Sequence, residues 1–85
     1  MYSVEFTRTA TKALARMPRN IALLIRGKIL KLSADPYAPN NNVAALKGRP
    51  GYRLRVNDWR VIYELDNGRL VILVLEIGPR GDIYD

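Results

Sequence analysis

The sequence predicts an α+β domain in the order β-α-α-β-β-β, an antiparallel meander sheet with a two-helix hairpin packed on one face. Three observations predict it. Two apolar stripes at helical spacing follow each other between residues 10 and 32. Three strand-like runs, two alternating and one almost wholly aliphatic, follow between residues 52 and 77. A short alternating segment opens the chain. Helices laid on a sheet bury both sets of apolar faces in two layers. At 85 residues the chain is expected to be a single domain spanning residues 1–85. A chain of this size buries roughly 60 to 65% of its unfolded surface, enough for one modest core.

In residues 1–6, Tyr2, Val4 and Phe6 fall on one side, as in a half-buried strand. Thr7 or Thr9 can cap the helix that follows, because a threonine oxygen accepts from the unpaired N–H groups of the first turn. Ala10, Ala13, Leu14 and Met17 then recur at i, i+3, i+4 and i+7, one apolar stripe. Pro18 cannot continue that helix but suits the first turn of the next. Ile21, Leu24, Ile25, Ile29 and Leu32 form the second stripe, with Arg19, Arg26, Lys28 and Lys31 mostly off it. The helix is expected to stop near Ser33, ahead of Asp35-Pro36 and Pro39-Asn-Asn-Asn42. The segment 46–51, Leu-Lys-Gly-Arg-Pro-Gly, reads as a loop. Residues 52–56 alternate apolar side chains with arginine, Asn57-Asp58 fits a two-residue turn, and 59–65 is the returning strand. Asp66-Asn-Gly-Arg69 reads as another tight turn, since Asn-Gly tolerates positive φ at both central positions. Residues 70–77 are nearly all Val, Ile and Leu, a strand buried on both faces that Gly78-Pro79 ends.

Composition narrows the chemistry. Hydrophobic residues make up 48% of the chain and charged ones 26%, as in ordinary globular proteins. With no cysteine there is no disulfide framework and no thiolate zinc site. With no histidine the commonest metal ligand and the commonest general base are both missing. No cofactor and no metal are expected. No apolar run approaches the ~20 residues that span a bilayer, and residues 1–14 lack the apolar core of a signal peptide, so a cytoplasmic protein with no membrane partner is expected. The net charge of +6 favours a polyanion or an acidic protein partner.

The residues that carry chemistry lie on the expected hairpin. With Asn57-Asp58 at its tip, Arg55 stands opposite Arg60, Leu54 opposite Val61 and Arg53 opposite Ile62. Strand alternation then puts Arg53, Arg55 and Arg60 on one face. Like charges directly opposite each other are destabilising, and Glu64 is the nearest carboxylate in that register. Guanidinium groups match phosphate bidentately, so the cluster reads either as an anion site or as solvated surface. Lys47 and Arg49 approach from the preceding loop. Arg80, just after the last strand, can reach the same end of the sheet, and Tyr84 follows. Cations for phosphates and a ring for stacking suit single-stranded RNA. Tyr52, Trp59 and Tyr63 fall on the opposite face and read as core.

These residues carry a resemblance. Val4-Glu-Phe6 with Ala10-x-Lys12-x-Leu14 and Pro18, Leu46-Lys-Gly48, Tyr52-Arg-Leu-Arg-Val56, Trp59-Arg-Val-Ile-Tyr63 and Val74-Leu-Glu-Ile-Gly-Pro-Arg80 resemble the RelE branch of the RelE/ParE toxin superfamily over essentially the whole chain. The resemblance implies a type II toxin that enters the ribosomal A site, cleaves mRNA by attack of a ribose 2′-OH on the adjacent phosphate, and so inhibits translation. It implies a cognate antitoxin, RelB-like or another acidic amphipathic segment, in a toxin–antitoxin hetero-oligomer, with the ribosome and mRNA as further partners. Carried over by position, Arg53 and Arg55 stand where family members have lysines. Arg60 and Arg80 match the family's phosphate-binding arginines, and Tyr84 matches its carboxy-terminal catalytic tyrosine. The chain departs from the pattern in two places. Arginine does not give up a proton, so a lysine base is not reproduced by Arg55. Pro79 stands where many relatives have a basic residue or histidine.

The 2′-OH route needs a base, a charge sink for the phosphorane and an acid for the leaving oxygen. Arginines supply the charge sink. Tyr84, Glu64 or a ribosomal group are the candidates for the base. Three other readings stay open: a ParE-like poison of DNA gyrase, a catalytically weak homologue that acts as an antitoxin-binding module, and a basic nucleic-acid-binding domain without chemistry.

Overall fold

Thr7 joins the first strand to the first helix. In the computed structural model, which describes residues 1–83, its backbone N–H donates to the Val74 carbonyl at 3.0 Å and its hydroxyl donates to the Leu75 carbonyl at 2.7 Å. The same hydroxyl oxygen accepts from the Ala10 N–H at 3.1 Å, the N-cap bond expected of a threonine here. Such a cap stabilises a helix by ~1 kcal/mol. Before it runs β1 (Ser3–Phe6) and after it α1 (Arg8–Arg16). Ala10, Leu14 and Met17 of the expected stripe are buried. Pro18 caps α2 (Arg19–Ala34), which buries Ile25, Ile29 and Leu32 and leaves Leu23 and Leu30 exposed.

The remaining elements are β2 (Val43–Ala45), β3 (Tyr52–Val56), β4 (Trp59–Asp66) and β5 (Val71–Pro79). They form one five-stranded sheet in the order β1-β5-β4-β3-β2. Val4 and Phe6 of β1, Tyr52, Leu54 and Val56 of β3, Val61 and Tyr63 of β4, and Ile72, Val74 and Ile77 of β5 pack with the helices into one core. The expected α+β architecture, two helices on one face of a sheet, is the observed one.

Four details differ from the sequence reading. β1 pairs with β5 in parallel, from Ser3↔Val71 to Phe6↔Val74, so the sheet is mixed rather than wholly antiparallel. The connection from β1 passes through both helices, and parallel pairing requires a crossover of that length. β2 is an extra edge strand, paired antiparallel to β3 from Val43↔Leu54 to Ala45↔Tyr52. Its three residues include two alanines, poor strand formers, and follow three asparagines, so nothing in the pattern marks it. The β4–β5 turn is wider than a two-residue Asn-Gly turn. Asp66 Oδ1 accepts the Arg69 N–H at 3.1 Å, and the positive φ, 54°, falls on Leu70. Finally, β5 runs through Gly78 to Pro79 instead of ending before them.

Among the described residues no helix is long and apolar enough to cross a membrane.

Tyr63 combines deep burial with an unmet polar group. It is 1% exposed, its ring stacks on Tyr52 with centroids 5.5 Å apart, and its hydroxyl has no hydrogen-bond partner. Burial, reinforced by Tyr52, pushes its pKa up from 10.0 to about 12. Because the folded chain holds the neutral phenol, the stability this provides is complete below pH 10.0 and is lost as pH rises towards about 12. Tyr63→Phe removes an unsatisfied hydroxyl at nearly constant shape. It should leave stability at pH 7 unchanged or raise it by about 1 kcal/mol, and should flatten the alkaline loss. Urea unfolding at neutral pH and at pH 11 measures both; a variant less stable at pH 7, or an unaltered alkaline slope, contradicts this account.

Candidate nucleic-acid interface

The β3–β4 hairpin has the register that its turn residues predict. Arg55 pairs with Arg60, Leu54 with Val61 and Arg53 with Ile62, around an Asn57 at φ 52°. Asparagine tolerates that conformation better than most residues. Leu54, Val56, Val61 and Tyr63 enter the core, so Arg53, Arg55 and Arg60 share the face turned away from the helices. Two opposed guanidinium groups repel, and each of this pair is held by neutral oxygens. Arg60 Nη1 donates to the carbonyls of Asn57 at 3.1 Å and Trp59 at 3.0 Å, folding the side chain back over the turn. Arg55 Nη2 donates to Asn42 Oδ1 at 3.2 Å, and its backbone N–H donates to the Asn42 carbonyl at 2.8 Å. A guanidinium has five N–H donors, so both can keep these bonds and still offer a fork to an anion. A cleft of about 120 Å³ opens among the three arginines and residues 41–44.

Continuing across the sheet, Ile62 pairs with Glu76 and Arg60 with Gly78. Glu76 therefore shares the arginine face, one row from Arg60. The sequence reading had placed Glu64 as the nearest carboxylate and missed Glu76. The partner of Ile62 depends on an irregularity of register between Ile62 and Tyr63, which no spacing rule reveals. The one available signal was a single acidic residue inside an otherwise aliphatic run. Glu64 lies further along β4 beside Gly51, whose φ of +112° and tight contact with the Tyr63 carbonyl leave no room for a Cβ.

Arg80 is at the arginine end of the sheet: its N–H donates to the Asp58 carbonyl at the hairpin tip. The chain then turns through Gly81 at φ +95°, with the Asp82 N–H donating to the Pro79 carbonyl, and Ile83 folds over Gly78. Lys47 and Arg49 lie in the loop before β3, at the other end of the hairpin, about 14 Å from its tip at strand rise. The structure thus gathers Arg53, Arg55, Arg60 and Arg80 at one end and sets Lys47 and Arg49 apart. Tyr84 lies outside the described residues. The Arg69–Glu5 and Arg69–Asp66 ion pairs are exposed and stand at the far end of the sheet from Arg60. No group of three metal-ligating side chains occurs among the described residues.

A two-layer fold with a concentrated arginine face defines a small basic α+β domain, and comparison with known proteins gives its family. Residues 4–84 match the family described as the ParE toxin of the type II toxin–antitoxin system parDE. The chain belongs to this family of toxins. A RelE-like toxin protein of Escherichia coli is 26% identical over 99% of this chain and 90% of its own length. Toxin RelG of Mycobacterium tuberculosis is 28% identical over 98% of this chain and 95% of its own. Among solved structures, the archaeal RelE–RelB complex from Pyrococcus horikoshii superposes with a TM-score of 0.79 at 29% identity, covering 96% of this chain and 98% of that one. The RelE-like character expected from the sequence is therefore found in both the curated relatives and the fold.

Gly78 is the point at which the tail meets the arginine face. A Cβ there stands 2.7 Å from Ile83 Cδ1 and 2.9 Å from its Cγ1. Gly78→Ala should displace Ile83, lower stability by about 1 kcal/mol, and raise the rate of carboxypeptidase digestion several-fold. Digestion at the wild-type rate would show that the contact does not hold the tail.

Proposed function

We propose that this toxin is a ribosome-dependent endoribonuclease that cleaves mRNA in the A site and so stops translation. The observation that supports this reading best is the opposed pair Arg55–Arg60, with Arg53 on the same face and Arg80 at the same end of the sheet. A sheet that served only as a scaffold has no reason to place like charges opposite each other. A substrate phosphate offsets that repulsion.

In the proposed reaction the ribose 2′-oxygen attacks the adjacent phosphorus and the bond to the 5′-oxygen breaks. The products are a 2′,3′-cyclic phosphate and a free 5′-hydroxyl. Arg60 and Arg55 face the phosphate and take up the charge that grows on its oxygens, usually the largest catalytic contribution. Arg53, Arg80 and, further along the strand, Lys47 and Arg49 hold flanking phosphates. The 2′-OH proton passes to a base and a proton reaches the leaving oxygen. Arginine does neither at neutral pH. Of the carboxylates on this face, Glu76 and Glu64 stand nearest the arginines, and Tyr84 or the ribosome are the other donors and acceptors. No cofactor enters the reaction.

The partner that restrains it is proposed to be a RelB-like antitoxin with an acidic amphipathic segment, as the RelE–RelB complex suggests. Leu23 and Leu30 on α2 are exposed, and a groove of about 180 Å³ lined by Val4, Phe6, Ile29 and Leu30 runs beside β1. Arg26 lies over the Phe6 ring at 5.5 Å and can pair with acidic residues of such a segment. The toxin is proposed to act in the cytoplasm.

A reconstituted translation reaction tests the proposal, with wild type, Arg60→Ala and a ribosome-free control. Cuts in phase with codons should appear only with ribosomes, and Arg60→Ala should slow them about 100-fold or more. Intact mRNA throughout, accompanied by gyrase-cleaved DNA when gyrase is added, would instead assign the gyrase-poison reading left open by the sequence.

A further inference from the structure

A cavity of about 400 Å³ lies around the β2 edge from the arginine face, between α2, the loop that follows it and β3. Its polar lining is Lys28, Lys31, Asn40, Asn41, Asn42 and Arg55, over a floor that includes Leu54. Lys28 and Lys31 are exposed and stand one helical turn apart, so both ammonium groups lie on the same side of α2. The acidic residue in the lining, Asp35, accepts the Tyr37 backbone N–H at 3.2 Å through Oδ1. Asn40 Oδ1 accepts the Asn42 N–H at 2.8 Å, and Asn42 Oδ1 accepts from Arg55. The oxygen of each amide is thus held internally, which leaves its NH₂ as the end that donates to a ligand.

This cavity and the arginine cleft are neighbours. Asn41, Asn42 and Arg55 line both. The boundary between them is Asn41 and Asn42 with the Arg55 side chain, so a flexible strand need turn only once to pass from one to the other. The volume falls in the ~300–1,000 Å³ range of small-ligand sites, enough for a nucleotide. Ammonium groups for phosphate and amide NH₂ groups for ribose or base oxygens are the chemistry of an RNA subsite. An amphipathic peptide needs large exposed apolar anchors instead; Leu32 and Leu54 of this lining are buried, whereas Leu23 and Leu30 are exposed near the groove beside β1.

We infer that the Lys28–Lys31 cleft is a second RNA subsite, which takes nucleotides of the same strand that lies on the arginine face. The inference rests on reading that face as an RNA surface. It makes the footprint on RNA longer than the phosphates around Arg60 require, and it gives Asn42 two tasks: it steadies Arg55 and marks the corner where the strand turns.

The test is fluorescence anisotropy with 2′-O-methyl RNA, which is not cleaved, as a labelled trinucleotide and a labelled decanucleotide. The proteins are wild type, Lys28→Gln/Lys31→Gln and Arg60→Ala, each checked for folding by circular dichroism. The double variant should bind the decanucleotide roughly tenfold more weakly and the trinucleotide equally well. Its salt dependence on the decanucleotide should shrink by about 1.4 in log–log slope, two phosphate contacts' worth. Unchanged decanucleotide affinity and slope, with Arg60→Ala still weak on both lengths, would remove the second subsite and leave the arginine face intact. Equal loss on both lengths would reduce the lysines to general attraction and overturn the inference. Arg60→Ala binding both lengths normally would remove the arginine-face reading itself, and with it the continuous path. Loss of polyglutamate binding without loss of RNA binding would give the cleft to an acidic protein.

Discussion

Strand β5 is hydrogen-bonded on both edges, to β1 in parallel and to β4 in antiparallel fashion, and α1 packs across it. The interaction that matters most is this double ladder under a buried aliphatic run. Ile72, Val74 and Ile77 fill the core on one side, each worth about 1.5–3 kcal/mol of burial. On the other side the same strand carries Glu76 and Gly78 beneath the arginine face and ends where Arg80 meets the hairpin tip. The first strand, the hairpin and the tail each find their place by pairing with or folding over β5. Site and core are two faces of one strand rather than separate constructions.

The arginine face has a thermodynamic cost that the opposite face offsets. Arg55 and Arg60 repel across the hairpin, yet sliding either strand by one residue would turn guanidinium groups into the core and expose Leu54, Val56 and Val61. The register that concentrates charge thus also keeps the apolar residues dry, which a one-residue slip would not. Charge repulsion and apolar burial oppose each other in sign but agree in geometry. Backbone and amide oxygens from Asn57, Trp59 and Asn42 reduce the repulsion without cancelling the positive charge.

Most of this was readable where a local rule applies. The Thr7 cap, the stripe Ala10–Leu14–Met17, the Pro18 break and the arginine register around Asn57-Asp58 each follow from a few neighbouring residues. What could not be read depends on partners far along the chain. β2 exists because β3 offers it an edge, not because Val43-Ala44-Ala45 favours extension. The parallel β1–β5 pairing is set by the path of two helices, and Glu76 enters the site through an irregular register in the sheet. Lys47 and Arg49 looked close to Arg80 because they are close to β3 in sequence, whereas strand length carries them to the other end. The fold over Gly78 was likewise hidden, since nothing in Gly78-Pro79 distinguishes a strand that stops from one that continues and doubles back.

The parallel pairing of β1 with β5 also orders events in time. Ser3 to Phe6 find their ladder only in Val71 to Val74, so β1 is without its sheet partner until β5 has been made. A nascent chain cut short before β5 lacks the strand that joins β1 to the hairpin, and pairing across so long a separation is slow to form. Closure of the sheet around the arginine hairpin is therefore a late event. The Arg55–Arg60 register is set within its own hairpin, whereas Glu76 and Arg80 join that hairpin only once β5 has paired with β4.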